Sequence, residues 1–515
     1  MVGGSSVKNQ RAPRKHQKNA QFWQIVLRLR PMRAIDRRTM CKVGPAKTGR
    51  TRPMPEKPAA LVRQLGIVSA AALVISNMVG TGIFTASGFL AADLGSPSLI
   101  LIIWMVGALF ALAGALCYSE LGINFPSSGG EYVYLTRAYG PTWGFMTGWI
   151  SFFAGFSAPI AAASLAFSDY VGYFIPGAQQ ANAQFTLGSG AWSLKVGGAQ
   201  LVASALIIVF TLLNIFGIGR VAKIQNVLTA IKVLVIIGLV GLGFLIGTGS
   251  WSHFSMDAVR TSTRSLPAQF AISLFWIYVS YSGWNAATYI AEELKRPERT
   301  LPVALTVGTL LVAAMFIAMN VVFIYATPLE TMKGVVAVGS LAASHLFGPG
   351  IAGAFSALMA LSLMSTVNAM VTVGPRVYYA MAKNGAFLPA AAKVDSRWHT
   401  PVVAILCQGA CAVVMTLTPF RDLMIYIGFL LNFFAVMSVA SLFIFRRRPG
   451  WQKLRVVSFA FPLIPLLFVL VGAWMTIFGL TLQPKIAVAA IVTIATGALV
   501  YHFRLRSSTH ASSHV

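Results

Sequence analysis

Residues 77–84 read Asn-Met-Val-Gly-Thr-Gly-Ile-Phe, and residues 280–285 read Ser-Tyr-Ser-Gly-Trp-Asn. Each stretch interrupts a long apolar run with glycine and polar residues. A helix that breaks within a membrane leaves backbone N–H and C=O groups unpaired, and hydrocarbon cannot pair with them. Such breaks persist only where they are buried in protein or line a wet cavity. The two stretches therefore predict a membrane protein with a solute-sized site at mid-depth.

The composition is that of a protein that crosses a membrane many times. Of its 515 residues, 57% are hydrophobic and 10% are charged, whereas soluble proteins carry about 25% charged residues. An apolar run of about 20 residues spans a bilayer as a helix, so we predict an all-α fold with twelve spans. The predicted spans are 65–92, 98–123, 142–174, 199–217, 224–247, 267–291, 301–326, 338–382, 401–418, 422–445, 456–478 and 485–503.

The net charge of +27 follows the loops between the spans. Residues 1–63 hold sixteen of the forty Lys and Arg, and most of the others lie in alternate loops. Because basic residues accumulate in cytoplasmic loops, this asymmetry predicts that both termini are cytoplasmic. The charge is thus explained by topology, and we expect no nucleic-acid partner.

The spacing of the two breaks predicts the domain organisation. Roughly four spans separate the broken ones, which is typical of a five-plus-five inverted repeat with broken first and sixth helices. We therefore expect a first repeat over 61–250, a second over 251–447, and two C-terminal helices with a short tail over 448–515.

Residues 1–60 are predicted to be a basic, disordered extension. One function for it is a polybasic arm that binds anionic lipids, each basic residue contributing about 1 kcal/mol. The alternatives are a tail without function, or translation that begins at Met54, in which case residues 1–53 are absent from the native protein.

The first break offers partners for both charges of an amino acid. Glycine lets the backbone leave helical geometry at Gly80 and Gly82. The helix that restarts near Ile83 presents free N–H groups and the positive end of its dipole, which suit a carboxylate. The half-helix that ends near Met78 presents free carbonyls, which suit an ammonium group. The alternative for this stretch alone is a glycine-mediated helix crossing.

The second break favours a shared site. Ser280, Ser282, Gly283 and Asn285 cluster within six residues of an otherwise apolar span. Breaks at corresponding places of two successive halves are expected where both halves line one binding site.

Lys232 is a basic residue inside the apolar span 224–247. Burial of a charge in the membrane is costly, so such a residue is a functional candidate; the alternative is a side chain that snorkels to the cytoplasmic surface. All thirteen acidic residues fall at span ends, in loops or in the tail. We therefore expect no carboxylate near the site to serve as a proton relay or Na⁺ ligand.

At these residues the chain resembles the amino acid–polyamine–organocation superfamily, and most closely its L-type amino-acid transporter branch. Three stretches within residues 60–450 carry the resemblance. They are Gly-Thr-Gly-Ile-Phe at 80–84, Tyr-Ser-Glu-Leu-Gly at 118–122 with Ser-Ser-Gly-Gly-Glu-Tyr-Val-Tyr at 127–134, and Ser-Gly-Trp-Asn at 282–285 with Glu-Glu-Leu-Lys-Arg-Pro-Glu at 292–298.

The resemblance implies roles for individual residues. The amides of Thr81 and Gly82 would hold the substrate carboxylate, and carbonyls of Met78, Val279 and Ser282 would receive the α-ammonium group. All residues predicted to bind substrate lie in the two breaks: Met78, Gly80, Thr81, Gly82, Ile83, Val279, Ser280, Ser282, Gly283, Trp284 and Asn285.

Two further implications concern charge. Asn285 occupies a place where some exchangers of cationic substrates are acidic, so its neutrality favours neutral amino acids. Lys232 matches a lysine of the fifth helix that, in this family, replaces a sodium ion between the first and eighth helices.

The chain departs from the family pattern at two places. Val279 stands where many relatives have an aromatic gate, so Trp276, Tyr278 or Tyr281 is expected to cover the site instead. Residues 175–197 contain no cysteine, so we expect no disulfide-linked heavy subunit. A stand-alone permease of bacterial type in the cytoplasmic membrane is the prediction.

The sequence thus predicts a sodium-independent permease for a neutral α-amino acid, working by alternating access as an exchanger or a proton symporter. The alternative within the superfamily is an exchanger of cationic amino acids or polyamines. The other classes are an intramembrane enzyme, disfavoured because HExxH and GxSxG motifs are missing, and a channel, disfavoured because no filter repeat occurs. We expect no cofactor and no metal, and only the amino acid and the lipid bilayer as partners.

Overall fold

The structure is a computed structural model that describes residues 61–179, 185–187, 194–335, 338–418, 420–482 and 484–505. The predicted N-terminal extension, residues 1–60, lies outside the described residues. The regular secondary structure of the described residues is helical apart from one antiparallel ribbon, in which β1 (Phe185–Leu187) pairs with β2 (Leu194–Val196). The prediction of an all-α membrane protein is confirmed.

The longer helices are numbered in chain order. They are α1 Ile67–Met78, α2 Thr81–Leu94, α3 Pro97–Asn124, α4 Glu131–Tyr139, α5 Pro141–Val171, α6 Gly198–Ile215, α7 Ile218–Leu245, α8 Leu266–Tyr281, α9 Pro297–Ala326, α10 Val338–Phe347, α11 Ala352–Val373, α12 Pro375–Lys383, α13 Val402–Met415, α14 Phe420–Phe445, α15 Leu463–Leu482 and α16 Pro484–Val500. Shorter turns of helix are Pro176–Ala178, Trp251–Ser255, Ala286–Glu293, Leu329–Met332, Pro349–Ile351, Pro389–Ala392, Arg455–Phe459 and Tyr501–Leu505, and α5 contains a π-helical turn over Ser151–Ser157.

Nine helical segments of the described chain are long and apolar enough to cross a membrane. The other three predicted spans, 267–291, 401–418 and 485–503, coincide with shorter helices, namely α8, α13 and α16. The number twelve therefore stays a prediction.

The predicted span 338–382 is wrong as a single element. The chain leaves helical geometry after Phe347, makes one 3-10 turn over Pro349–Ile351, and begins a new long helix at Ala352. No charged residue marks this turn, so hydropathy alone merged a short helix with a spanning one.

The helices that carry the breaks lie at the centre of the bundle. Helix α1 packs against α7, α9 and α11, and α8 packs against α2, α3 and α14. Large aromatic side chains fill the space between them; Trp104 of α3, for example, meets Phe316 of α9 edge to face with a centroid separation of 5.3 Å. The backbone at each break is therefore enclosed by protein.

A buried ion pair fixes the end of α3. The Glu120 carboxylate is fully buried and accepts hydrogen bonds from Nε and Nη2 of Arg446 at 2.7 and 2.6 Å. It also accepts from Trp451 Nε1 at 2.8 Å and from the Leu454 amide at 3.0 Å. Every acceptor position is used, which a buried charge requires.

A second buried ion pair closes the same end of the bundle below the breaks. Arg376 Nε donates to Glu293 Oε1 at 2.7 Å, and both side chains are buried. The carbonyl of Glu293 accepts from the amides of Gln64 and Leu65, and the Lys295 amide donates to the Leu65 carbonyl at 2.8 Å. The residues before α1 are thus hydrogen-bonded to the chain that follows the second break.

We expect Glu120→Gln to lower the midpoint of thermal unfolding of the detergent-solubilised protein. The amide keeps an acceptor but leaves the buried Arg446 cation without its counter-charge, and breaking a buried pair costs about 3–5 kcal/mol. Glu330→Gln is the control, because its pair with Lys333 lies at the surface. Equal midpoints for both variants would contradict the assignment.

Candidate functional site

The first predicted break is present. Helix α1 ends at Met78 and α2 begins at Thr81, with Val79 and Gly80 in non-helical geometry between them. The restart lies two residues before the predicted Ile83. The first amides of a helix have no acceptor within that helix, so those of Thr81 and Gly82 open onto the break.

The second predicted break is also present. Helix α8 ends at Tyr281, and the chain resumes as a 3-10 helix at Ala286. Gly283 has φ +103°, a conformation that favours glycine. The amide and hydroxyl of Ser282 both donate to the Val279 carbonyl, at 3.1 and 2.7 Å. These bonds stabilise the end of α8 within the bundle.

The two breaks touch each other. A Cβ added to Gly82 would lie 2.5 Å from Ser280 Cα, and one added to Gly283 would lie 2.8 Å from the Asn77 carbonyl carbon. The two backbones are therefore in direct contact at these positions, and only glycine permits this approach.

A first cavity lies between the breaks. Seven of its lining residues were predicted to bind substrate: Met78, Gly80, Thr81, Gly82, Val279, Ser280 and Ser282. Its volume is about 30 Å³, which is room for water molecules but not for an amino acid. The site is therefore closed in this conformation.

A second cavity adjoins the first and shares Asn77, Pro159, Ser282 and Met370 with it. Its volume is about 40 Å³, and Gly283, Trp284 and Asn285 line it. Of the predicted contacts, Ile83 lines neither cavity; it is buried in the apolar core instead.

The aromatic residues that could replace a lid at Val279 lie in different places. Trp276 stacks on Phe89 with a centroid separation of 4.8 Å and lines a vestibule of about 360 Å³ near Asp93 and Arg264. Tyr278 lines the second cavity. Tyr281 lies away from both cavities and donates to the Trp104 carbonyl at 3.1 Å.

Lys232 of α7 points inward and is fully buried. Its Nζ donates to the Val79 carbonyl at 2.6 Å, to the Ser76 carbonyl at 3.2 Å and to Thr366 Oγ1 at 2.8 Å. The ammonium group therefore joins the end of α1 to α11 and does not snorkel to the surface. It also pairs with carbonyls that the break has freed.

A chain of buried polar side chains continues from this point along α11. Ser76 Oγ lies 2.8 Å from Ser365 Oγ. Gln225 Nε2 donates to Ser365 Oγ at 3.0 Å, and Asn368 Nδ2 donates to Gln225 Oε1 at 2.7 Å. All four side chains are buried.

The same polar chain reaches the ion pair that closes the bundle. Asn214 Nδ2 donates to Asn368 Oδ1 at 3.0 Å, and Thr372 Oγ1 donates to Asn214 Oδ1 at 2.7 Å. Arg376 then donates to the Thr372 carbonyl at 2.6 Å and pairs with Glu293. Sequence reasoning missed this chain, although residues 368, 372 and 376 recur every four positions and so share one helix face.

Glu131 corrects the prediction that no carboxylate lies near the site. It is buried, with an exposed fraction of 4%, and lines the second cavity beside Asn285. At the start of α4, Gly130 has φ +48°, and a Cβ added there would lie 2.6 Å from the Tyr289 ring, so glycine allows α4 to pack this closely. The sequence placed Glu131 in a loop and gave no signal that the loop is buried.

The described residues contain no group of three or more His, Cys, Asp or Glu side chains that could hold a metal ion. In the same part of the chain Cys117, Cys407 and Cys411 are free thiols, and Cys41 lies outside it.

Fold and site together define a helical membrane transporter, because two broken helices meet at a central cavity. A family model described as "Amino acid permease" matches residues 65–496. The chain therefore belongs to the amino acid permease family.

Three mouse (Mus musculus) proteins illustrate its relatives. The chain is 28% identical to large neutral amino acids transporter small subunit 2 over 457 residues, which cover 86% of this chain and 81% of that one. It is 27% identical to Asc-type amino acid transporter 1, covering 86% and 81% of the two chains. It is 28% identical to b(0,+)-type amino acid transporter 1, covering 87% and 88%. The name of the first describes that protein as a small subunit.

We expect Gly82→Ala to reduce amino-acid uptake by about tenfold or more, since overpacking at the contact with Ser280 costs about 1–3 kcal/mol. Uptake into proteoliposomes measures it, normalised to the amount of reconstituted protein. Gly241→Ala is the matched control, because a Cβ there meets nothing within 4 Å. Equal uptake by the two variants would show that the contact between the breaks has no function.

Proposed function

We propose that the chain is a permease that moves a neutral α-amino acid across the cytoplasmic membrane by alternating access. The observation that carries the proposal is the contact of two broken helices at one cavity. The relatives named above are amino acid transporters by name.

The backbone at the breaks suits a zwitterion. The free amides of Thr81 and Gly82, at the positive end of α2, are assigned to the substrate carboxylate. The carbonyls of Met78, Val279 and Ser282 are assigned to the α-ammonium group, which would replace a Ser282 donor at the Val279 carbonyl. Both charged groups would then be held by main chain, which leaves the side chain of the substrate to select among amino acids.

The lining of the first cavity favours a neutral side chain. Outside the two breaks, Thr366 is the one polar residue among the described residues that line this cavity. The others are apolar: Pro159, Ala162, Ala163, Met370, Met424 and Ile427. A cationic side chain would be desolvated there without a counter-charge, which is costly.

Glu131 supports a second candidate substrate class, the cationic amino acids. Its carboxyl group lines the second cavity, within the volume that a longer side chain would enter if the two cavities merged. The uptake panel described below compares neutral and cationic amino acids directly.

Lys232 is assigned the role of a fixed cation in place of sodium. Its Nζ already binds the Val79 carbonyl at the break, where a bound Na⁺ would otherwise neutralise the freed main chain. Sodium independence follows, with amino-acid exchange or a proton gradient as the driving force.

Transport requires the closed site to open toward each side in turn. We assign this movement to the two inverted repeats, 61–250 and 251–447, with the helices after residue 448 outside the moving pair. Opening toward the end that carries Glu293 requires its ion pair with Arg376 and its bonds to Gln64 and Leu65 to separate. No chemical change of the substrate is involved.

We expect proteoliposomes containing this protein to take up labelled alanine, leucine or phenylalanine, intact and equally with sodium or choline outside. Lysine and arginine form the cationic arm of the panel. Lys232→Met should reduce uptake about 10- to 100-fold, because charge-assisted hydrogen bonds of about 1.5–3 kcal/mol are lost. Lys223→Met, at an exposed position of the same helix, is the control.

Sodium-dependent uptake would contradict the role of Lys232. Uptake of lysine and arginine alone would replace the neutral substrate class by the cationic one. A chemically altered product would favour an enzyme over a permease.

We further propose that both termini are cytoplasmic and that no disulfide-linked subunit is attached. The first rests on the loop charges and the second on the lack of cysteine in residues 175–197. In cells, a C-terminal tag should react with antibody only after permeabilisation, and the non-reduced band should match the 55.1 kDa chain. A band that moves on reduction, or a tag accessible in intact cells, would refute the corresponding statement.

A further inference from the structure

Glu131 differs from the other buried carboxylates in the partners it has. Glu120 and Glu293 are both fully buried and each pairs with an arginine. Within the described residues, the ion pairs include none that involves Glu131. Its Oε1 accepts from the Tyr118 hydroxyl at 2.6 Å and from Asn285 Nδ2 at 3.0 Å, and both donors are neutral.

The titratable groups that face Glu131 are tyrosines. They are Tyr118 on α3, Tyr278 on α8, Tyr289 on the 3-10 helix, and Tyr134 on its own helix α4. The residues of α5 and α14 that line the same cavity carry no titratable group: Ser151, Gly155, Phe156, Pro159 and Leu431. An ionised carboxylate is therefore buried here without a cation, and such burial favours the neutral, protonated form.

Glu131 lies between the second and third spans, at the first residue of α4. Burial raises the pKa of its carboxyl group from 4.5 to about 7, although hydrogen bonds from Tyr118, Asn285 and Tyr289 act in the opposite direction. A raised pKa means that the group holds its proton below about pH 7 and loses it above. Binding and release thus both fall within the physiological range.

The position of Glu131 connects this proton to the moving part of the site. Asn285, which donates to Glu131, belongs to the second break and also donates to the Tyr289 hydroxyl at 3.0 Å. The second cavity, about 40 Å³ in volume, is polar on this side and has room for water. A movement that opens the break would therefore change the hydration of the carboxyl group at the same time.

We propose that Glu131 is the proton-binding group of this permease and that one proton crosses with each amino acid. The proposal rests on the proposed transport function and names its coupling ion. When the site is open to the outside, a hydronium ion gives its proton to a carboxylate oxygen of Glu131, forming an O–H bond and leaving water, and the site then closes around the acid. When the break opens to water on the Glu293 side, the hydrated acid returns the proton to water there.

The test uses proteoliposomes that enclose a pH-sensitive dye and an unlabelled neutral amino acid. For the wild-type protein, a pH lower outside than inside should raise uptake of the labelled amino acid severalfold. Adding amino acid outside should then acidify the lumen. Glu131→Gln keeps an oxygen acceptor for Tyr118 and Asn285 but cannot titrate. Its uptake with and without the gradient should be equal, and the dye signal should vanish.

Amino-acid exchange at equal pH on both sides, measured for every variant, tests the transport function separately from proton coupling. No exchange by the wild-type protein would refute the proposed function itself. Wild-type exchange without any response to the pH gradient would overturn only the proton proposal. A Glu131→Gln variant that keeps the gradient response would also overturn the proton proposal. A variant that loses only lysine and arginine transport would overturn it too, because Glu131 would then be a substrate contact.

A second variant decides the matter if Glu131→Gln neither exchanges nor accumulates substrate. Tyr118→Phe removes a hydrogen bond that favours the ionised form, so the pH midpoint of gradient-driven uptake should move to higher pH. Tyr139→Phe is the control, because Tyr139 lies at the other end of α4 and its hydroxyl donates to the Met437 carbonyl of α14. An unchanged midpoint in Tyr118→Phe would overturn the proposal.

Discussion

The structure depends on pairing the backbone groups that the two helix breaks set free. Each freed carbonyl in a membrane needs a donor, and few side chains can supply one at that depth. The Val79 carbonyl receives Lys232 and Thr366, at 2.6 and 2.8 Å, and the Val279 carbonyl receives both donors of Ser282. Charge, hydroxyl groups and glycine at these few positions allow an unwound chain to persist where hydrocarbon would otherwise force a helix.

The same requirement organises the polar groups around the site. Lys232 is the upper end of a buried hydrogen-bonded chain that runs along α11 to Arg376 and Glu293. The first break is therefore connected to the Arg376–Glu293 pair by these hydrogen bonds together with the backbones of Ser76 and Thr372. Glu131 lies outside this chain, bonded to the second break, so each break has its own ionisable neighbour.

The sequence was informative where local chemistry conflicts with the membrane. Gly80, Gly82 and Gly283 predicted both breaks, and Lys232 was recognised as a cation in an apolar run; these are features that hydrocarbon alone cannot explain. Glu131 was missed because its burial arises from tertiary packing of α4, and its neighbours in sequence resemble a solvated loop. The merged span 338–382 failed for a different reason, since the turn over Pro349–Ile351 interrupts an apolar run without adding a charged residue.

One contact near the start of the described chain has a mechanical consequence. The backbone of Gln64 and Leu65 is hydrogen-bonded to Glu293, and Lys295 returns a bond to Leu65. The residues that precede α1 are thereby hydrogen-bonded to the segment that follows the second break. A force applied before residue 64, by a lipid, a fusion partner or a tether, would therefore act directly on the segment that follows the second break.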